Sequence, residues 1–105
     1  MQIQVNTDRN VAGNEALANN IEGILDRILA RFAGQVTRLE VHLSDENSAS
    51  KSGGIDKRCQ LEARLAGREP ASVSDVAATI DKAVAGAAHK MVSLLGSDLG
   101  KLGKH

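Results

Sequence analysis

Apolar and polar residues alternate in three short runs and recur at helical spacing in two longer ones. In Gln2–Asn6, Ile3 and Val5 share one face while Gln2, Gln4 and Asn6 take the other. That period of two predicts a strand. Thr37–Leu43 repeats the pattern, with Leu39, Val41 and Leu43 inward and Arg38, Glu40 and His42 outward. Lys57–Leu65 does so again: Cys59, Leu61, Ala63 and Leu65 on one side, Arg58, Gln60, Glu62 and Arg64 on the other. Between the first two strands, Leu17, Ile21, Ile24, Leu25, Ile28, Leu29 and Phe32 fall at steps of three and four. They predict a helix over Glu15–Phe32, capped by Asn14 and followed by Gly34. Asp8–Gly13 reads as the connection into it.

The next element is a short strand over Pro70–Val73, with Pro70 suited to its first position. Ser74 then offers a cap for a second helix. Its expected apolar stripe is Val76, Ala77, Ile80, Ala83, Val84, Ala87, Met91, Leu94 and Leu95. Gly96 marks its expected end or the start of its fraying. Ser44–Asp56, poor in apolar residues, reads as a mobile loop between the second and third strands. The order is β-α-β-β-β-α. Each strand has one apolar face and each helix one apolar stripe. The expected fold class is therefore α+β, a two-layer sandwich with a four-stranded mixed sheet and two helices packed on one face. A single domain over 1–96 and a flexible basic tail over 97–105, holding Lys101 and Lys104, complete the layout. The second and third strands should form an antiparallel hairpin. Charge favours Arg38 opposite Glu62 and Glu40 opposite Gln60, because a two-residue slip sets Glu40 against Glu62.

Composition narrows the function classes. Apolar residues make up 42% of the 105, enough for a modest core. Phe32 is the one aromatic residue, so a platform for stacking bases is excluded. Thirteen basic and 13 acidic side chains give zero formal net charge. That argues against strong non-specific nucleic-acid binding and leaves room for a local basic face. The single Cys59 has no disulfide partner in the chain. No apolar run approaches the ~20 residues of a membrane span, and the N-terminus lacks a signal-peptide layout. A reducing, cytoplasmic setting is expected.

No enzyme signature stands out. Cys59 lacks His and acid neighbours at a motif spacing, and Ser72 and Ser74 sit in no nucleophile elbow. His42, His89 and His105 show no ligand spacing, and the acids of Ser44–Asp56 do not fit an EF-hand. No cofactor or metal is expected. The candidate surface is electrostatic. Thr79, Lys82, Gly86, Lys90 and Ser93 share one stripe of the second helix, with His89 beside them. Such a cation–small–cation stripe suits an RNA phosphate brought close to the backbone. The plainer reading is a solvated helix face. On the open sheet face, Arg38, His42, Arg58 and Arg64 cluster among Glu40 and Glu62, either as a basic edge or as plain cross-strand ion pairs on a wet face, and Lys57 and Arg58 are the stronger contributors beside them.

The ordered set Met1-Gln2-Ile3-Gln4-Val5, an amphipathic helix, Leu39-Glu40-Val41-His42-Leu43, then Asp75 and Ala78-Thr79-Ile80-Asp81-Lys82-Ala83 resembles the ribosome hibernation-promoting factor family. That family is also called the ribosome-associated inhibitor or sigma-54 modulation family. The resemblance spans Met1 to about Leu95. It implies a non-enzymatic binding module on the small ribosomal subunit that silences translation by blocking the tRNA and messenger channel. It further implies contacts from Lys57, Arg58, Arg64, Lys82, His89 and Lys90 to rRNA phosphates. The sequence leaves the oligomeric state open, with a monomer favoured. Gly86 stands about where the family often has Lys, and His89 about where it often has Arg. The alternative is a diverged regulatory or protein-interaction module of the same fold that no longer binds ribosomes.

Overall fold

The computed structural model describes residues 1–8, 11, 13–45 and 57–103, with side chains through 97. Its elements are strand β1 (Gln2–Thr7), helix α1 (Glu15–Ile28), a single 3-10 turn (Ala30–Phe32), strands β2 (Val36–Asp45), β3 (Lys57–Leu65) and β4 (Ala71–Ala77), and helix α2 (Ile80–Gly103). The β-α-β-β-β-α order and mixed sheet follow the alternation. The sheet runs β1-β2-β3-β4. β1 lies parallel to β2, with α1 as the crossover, and β2–β3 and β3–β4 are antiparallel.

One face of the sheet is covered and the other is wet. Leu39, Val41, Leu43, Cys59, Leu61 and Ala63 are all buried beneath the helices. Ile21, Ile24 and Leu25 of α1, Leu29 just beyond it, and Val84, Ala87, Met91 and Leu95 of α2 close over them. The two helices lie alongside each other in the same sense. Asn20 donates to Asp81 Oδ1 (2.9 Å) near their starts, and Gly96 faces Phe32 near the end of the pairing. Asn14 caps α1, its Oδ1 accepting from Leu17 N at 2.7 Å. The helix ends at Ile28 rather than Phe32. Leu29 closes it, and the chain tightens into the 3-10 turn that still delivers Phe32 to the core.

Three further expectations are corrected. The first is the hairpin register: Arg38 pairs with Arg64, Glu40 with Glu62 and His42 with Gln60. A slip of two residues leaves every side chain on its own face, so burial does not distinguish the registers. Contacts along and across the strands do. Glu40 Oε2 lies 3.2 Å from Arg38 Nε and 3.9 Å from Arg64 Nε, and Arg64 Nη2 lies 3.8 Å from Glu62 Oε1. Rows of like charge thus become a checkerboard of unlike neighbours. Lys57 meets Asp45 at 3.1 Å at one end, and Thr37 Oγ1 donates to Arg64 O at 3.0 Å near the other.

The second correction is the β4–α2 boundary. Ser74 does not cap a helix. The strand continues through Asp75 to Ala77, because Lys57–Gln60 would otherwise lack backbone partners on that side. Thr79 is the cap: its Oγ1 accepts from Lys82 N (3.2 Å) and its carbonyl from Ala83 N (3.0 Å). Val76 therefore leaves the expected helical stripe and stands on the open sheet face, 45% exposed. The third is Gly96, where α2 continues to Gly103 instead of stopping. There α2 passes close to Arg31 and Phe32. Of the expected mobile loop, Ser44 and Asp45 belong to β2 and residues 46–56 lie outside the described residues. So do residues 9, 10 and 12 of the first connection, the side chain of Lys101, and Lys104.

Candidate nucleic-acid interface

The candidate cations come from three places. Lys57 opens β3 on the helix side of the sheet and pairs with Asp45. Arg58, its neighbour, falls on the open face beside Ser44 and Val76. There it borders a cleft of about 260 Å³ with Asn6, Asp8, His42 and Gln60. Arg64 sits seven residues farther along β3. At ~3.3 Å per residue that separates it from Lys57 by roughly 23 Å. It lies between Glu40 and Glu62. Arg64 is thus not gathered with the other two.

On α2, ~100° of turn per residue sets Lys82 and His89 nearly in line and swings Lys90 about 80° away from Lys82. Lys82 and His89 are exposed. Lys82 edges a groove of about 310 Å³ between the helices, shared with Asn20, Ile24, Arg27, Ile28, Asp81 and Ala85. Among the described residues, no hydrogen bond or ion pair engages the side chains of Arg27, Lys82 or His89. Lys90 turns the other way. Its Nζ donates to the carbonyl of Ser74 at 2.9 Å and lies 3.2 Å from Asp75 Oδ1.

Gly86 explains how Asp75 comes to be there. β4 alternation puts Asp75 on the helix side, opposite the buried Cys59. A Cβ on Gly86 would fall 1.8 Å from Asp75 Oδ2 and 2.9 Å from its Cγ. The missing side chain is the space the carboxylate occupies. A glycine inside a helix costs about 1 kcal/mol relative to alanine, and here that cost admits an internal anion. The expected small–cation stripe is therefore interrupted by the chain's own carboxylate. Asp75 also acts inward: burial, then its negative charge, push the Cys59 thiol up to about 12. The thiol is protonated and sealed.

Two site residues escaped the sequence reading. A cap at Ser74 puts Asp75 in a first helical turn, whereas extending the β4 alternation by two residues turns it inward. Arg27 lies in the last turn of α1, whose apolar stripe drew attention to the core instead.

With fold and charges placed, comparisons with known proteins identify the chain's relatives. A family model described as sigma 54 modulation protein / S30EA ribosomal protein matches residues 4–97. The chain belongs to this family. Among solved structures, the N-terminal domain of Thermus thermophilus Protein Y is similar, at TM-score 0.70 and 20% identity, over 90% of this chain and 96% of that one. A ribosomal subunit interface protein from Coxiella burnetii is similar at TM-score 0.73 and 19% identity, over 95% and 99%. These two likenesses establish shared fold. No curated protein sequence matches the chain. Among the described residues of this S30EA-family chain, no helix is long and apolar enough to cross a membrane. Nor do three His, Cys, Asp or Glu side chains gather as a metal would require.

Proposed function

We propose that the chain is a ribosome-associated factor that binds the small subunit and silences translation by occupying the channel used by tRNA and messenger RNA. The observation that carries this reading is the family match over residues 4–97. The action is occupancy, in the cytoplasm, with no chemical step. Lys57, Arg58, Arg64, Lys82, His89 and Lys90 would meet rRNA phosphates. Lys82, which shares the inter-helix groove with Arg27, and His89, both exposed on the helical layer, are the strongest of these. Phosphate contacts of this kind position a protein without reading sequence. Each one releases counterions, so affinity should fall steeply with salt. Co-sedimentation of the chain with purified small subunits across a salt series tests this. Binding at low salt that weakens on charge reversal of Arg27 and Lys82 supports it. Absence of co-sedimentation at the lowest salt ends it.

A second reading is a regulatory module of the same fold that has lost the ribosome. It is favoured by the zero net charge and by the carboxylates against Lys57, Arg64 and Lys90. Failure to sediment with subunits, together with recovery of one discrete non-ribosomal protein from a stationary-phase lysate, would select it.

A further inference from the structure

Asp75 occupies an unusual place for a carboxylate. It is half-buried, on the helix side of an edge strand, lodged against the backbone of α2 at Gly86. It also sits within 3.2 Å of Lys90 Nζ, one turn farther along the helix. An oxyanion beside a helix glycine and under a lysine is the arrangement an RNA phosphate would seek on this surface. Resting on the function proposed above, we propose that Asp75 competes from within the chain with RNA phosphate for Lys90, and so sets how tightly this face holds RNA.

Three observations support the assignment independently of one another. The β3–β4 register turns Asp75 towards α2. Gly86 leaves the volume that its carboxylate fills, at the expense of helix propensity. Lys90 is held twice, by the carboxylate and by the Ser74 carbonyl, while Lys82 and His89 stand without such partners among the described residues. Lys90 remains more than half exposed, so a phosphate can reach it once the carboxylate yields. An exposed pair of this kind is weak enough for a phosphate to displace. Asp75 acts through Lys90 and is a positioning residue: it subtracts one cation from the surface until a stronger anion arrives.

The test compares the full-length chain with Asp75→Asn, Lys90→Gln and the double variant. Two probes are used, a short RNA duplex at low salt and acylation of lysines by an N-hydroxysuccinimide ester, read by mass spectrometry. Asp75→Asn should raise affinity for the duplex about threefold. It should also steepen the salt dependence by about one counterion. In the Lys90→Gln background the same change should do nothing, which a purely structural role would not produce. Labelling of Lys90 relative to Lys82 should rise about threefold in Asp75→Asn, the same factor read chemically. Unchanged duplex affinity and labelling, or an affinity gain that persists without Lys90, overturns the competition. If the wild-type chain fails to sediment with subunits but Asp75→Asn still shows the Lys90-dependent gain, the ribosomal reading falls and the competition stands.

Discussion

The two helices cover the same sheet by opposite means. α1 inserts large branched side chains, Ile21, Ile24, Leu25 and, just beyond its end, Leu29. α2 lays down Ala83, Ala87 and Ala88 between Val84, Met91 and Leu95, and presents Gly86 to β4. Large residues hold a helix off the sheet and fill the gap. Small residues let the helix backbone approach, close enough for a strand carboxylate to lodge against it. The difference teaches that the two helices should respond to substitution with opposite signs. α1 is sensitive to lost volume and α2 to added volume.

The largest expected effect lies in α1. Leu25→Ala empties a fully buried site and should cost about 2–5 kcal/mol, measured by urea unfolding. A loss well below that range would mean α1 is looser than its burial states. Next, Ala87→Leu adds volume where α2 meets the sheet and should cost about 1–3 kcal/mol. A neutral result would remove the contrast between the helices. Beneath α2, Cys59 keeps its proton to about 12, against 9.0 in an ordinary setting. The unfolded chain therefore releases the thiol proton first, and the native state holds more protons. The Cys59 contribution to stability should be constant below pH ~9 and then fall by about 1.4 kcal/mol per unit as pH rises towards ~12. The same titration in Cys59→Ala should lose that slope. The caps come next: Asn14→Ala and Thr79→Ala should each cost about 1 kcal/mol in thermal melts. Equal losses would show that the helices differ in packing and not in how they begin. The smallest net effect is at Gly86. Gly86→Ala gains helix propensity but displaces the Asp75 carboxylate from Lys90, so the expected gain of about 1 kcal/mol should be mostly cancelled. In Asp75→Ala it should reappear, and a double-mutant cycle reads the coupling directly.

Much of the architecture was legible in the chain because burial on one side imposes a period. Val41 and Leu61 could only point inward, so their strands and faces were readable. Register was not, since Glu40 opposite Gln60 and Glu40 opposite Glu62 bury the same residues. The choice rests on diagonal neighbours such as Arg38 and Arg64, which appear only when the strands are side by side. The start of α2 was ambiguous for a local reason: Ser74 and Thr79 both have cap chemistry. Which one caps depends on β3 needing a partner as far as Lys57. For the candidate site, the cations could be named from the chain but their anions could not. Asp75 reaches Lys90 through a strand extension and a glycine notch, neither of which has a charge pattern. Arg27 and Lys82 meet only because two helices lie alongside each other.

A core filled by aliphatic side chains and Phe32 alone, in a chain without tryptophan or tyrosine, has an optical consequence. The molecule is nearly dark in the near ultraviolet, and ordinary fluorescence sees nothing of it. A tryptophan introduced at Val76, beside Arg58 on the wet sheet face, would therefore be a lone lamp. RNA does not share its emission, so dimming beyond what RNA's own absorption of the exciting light removes would report a change at that face.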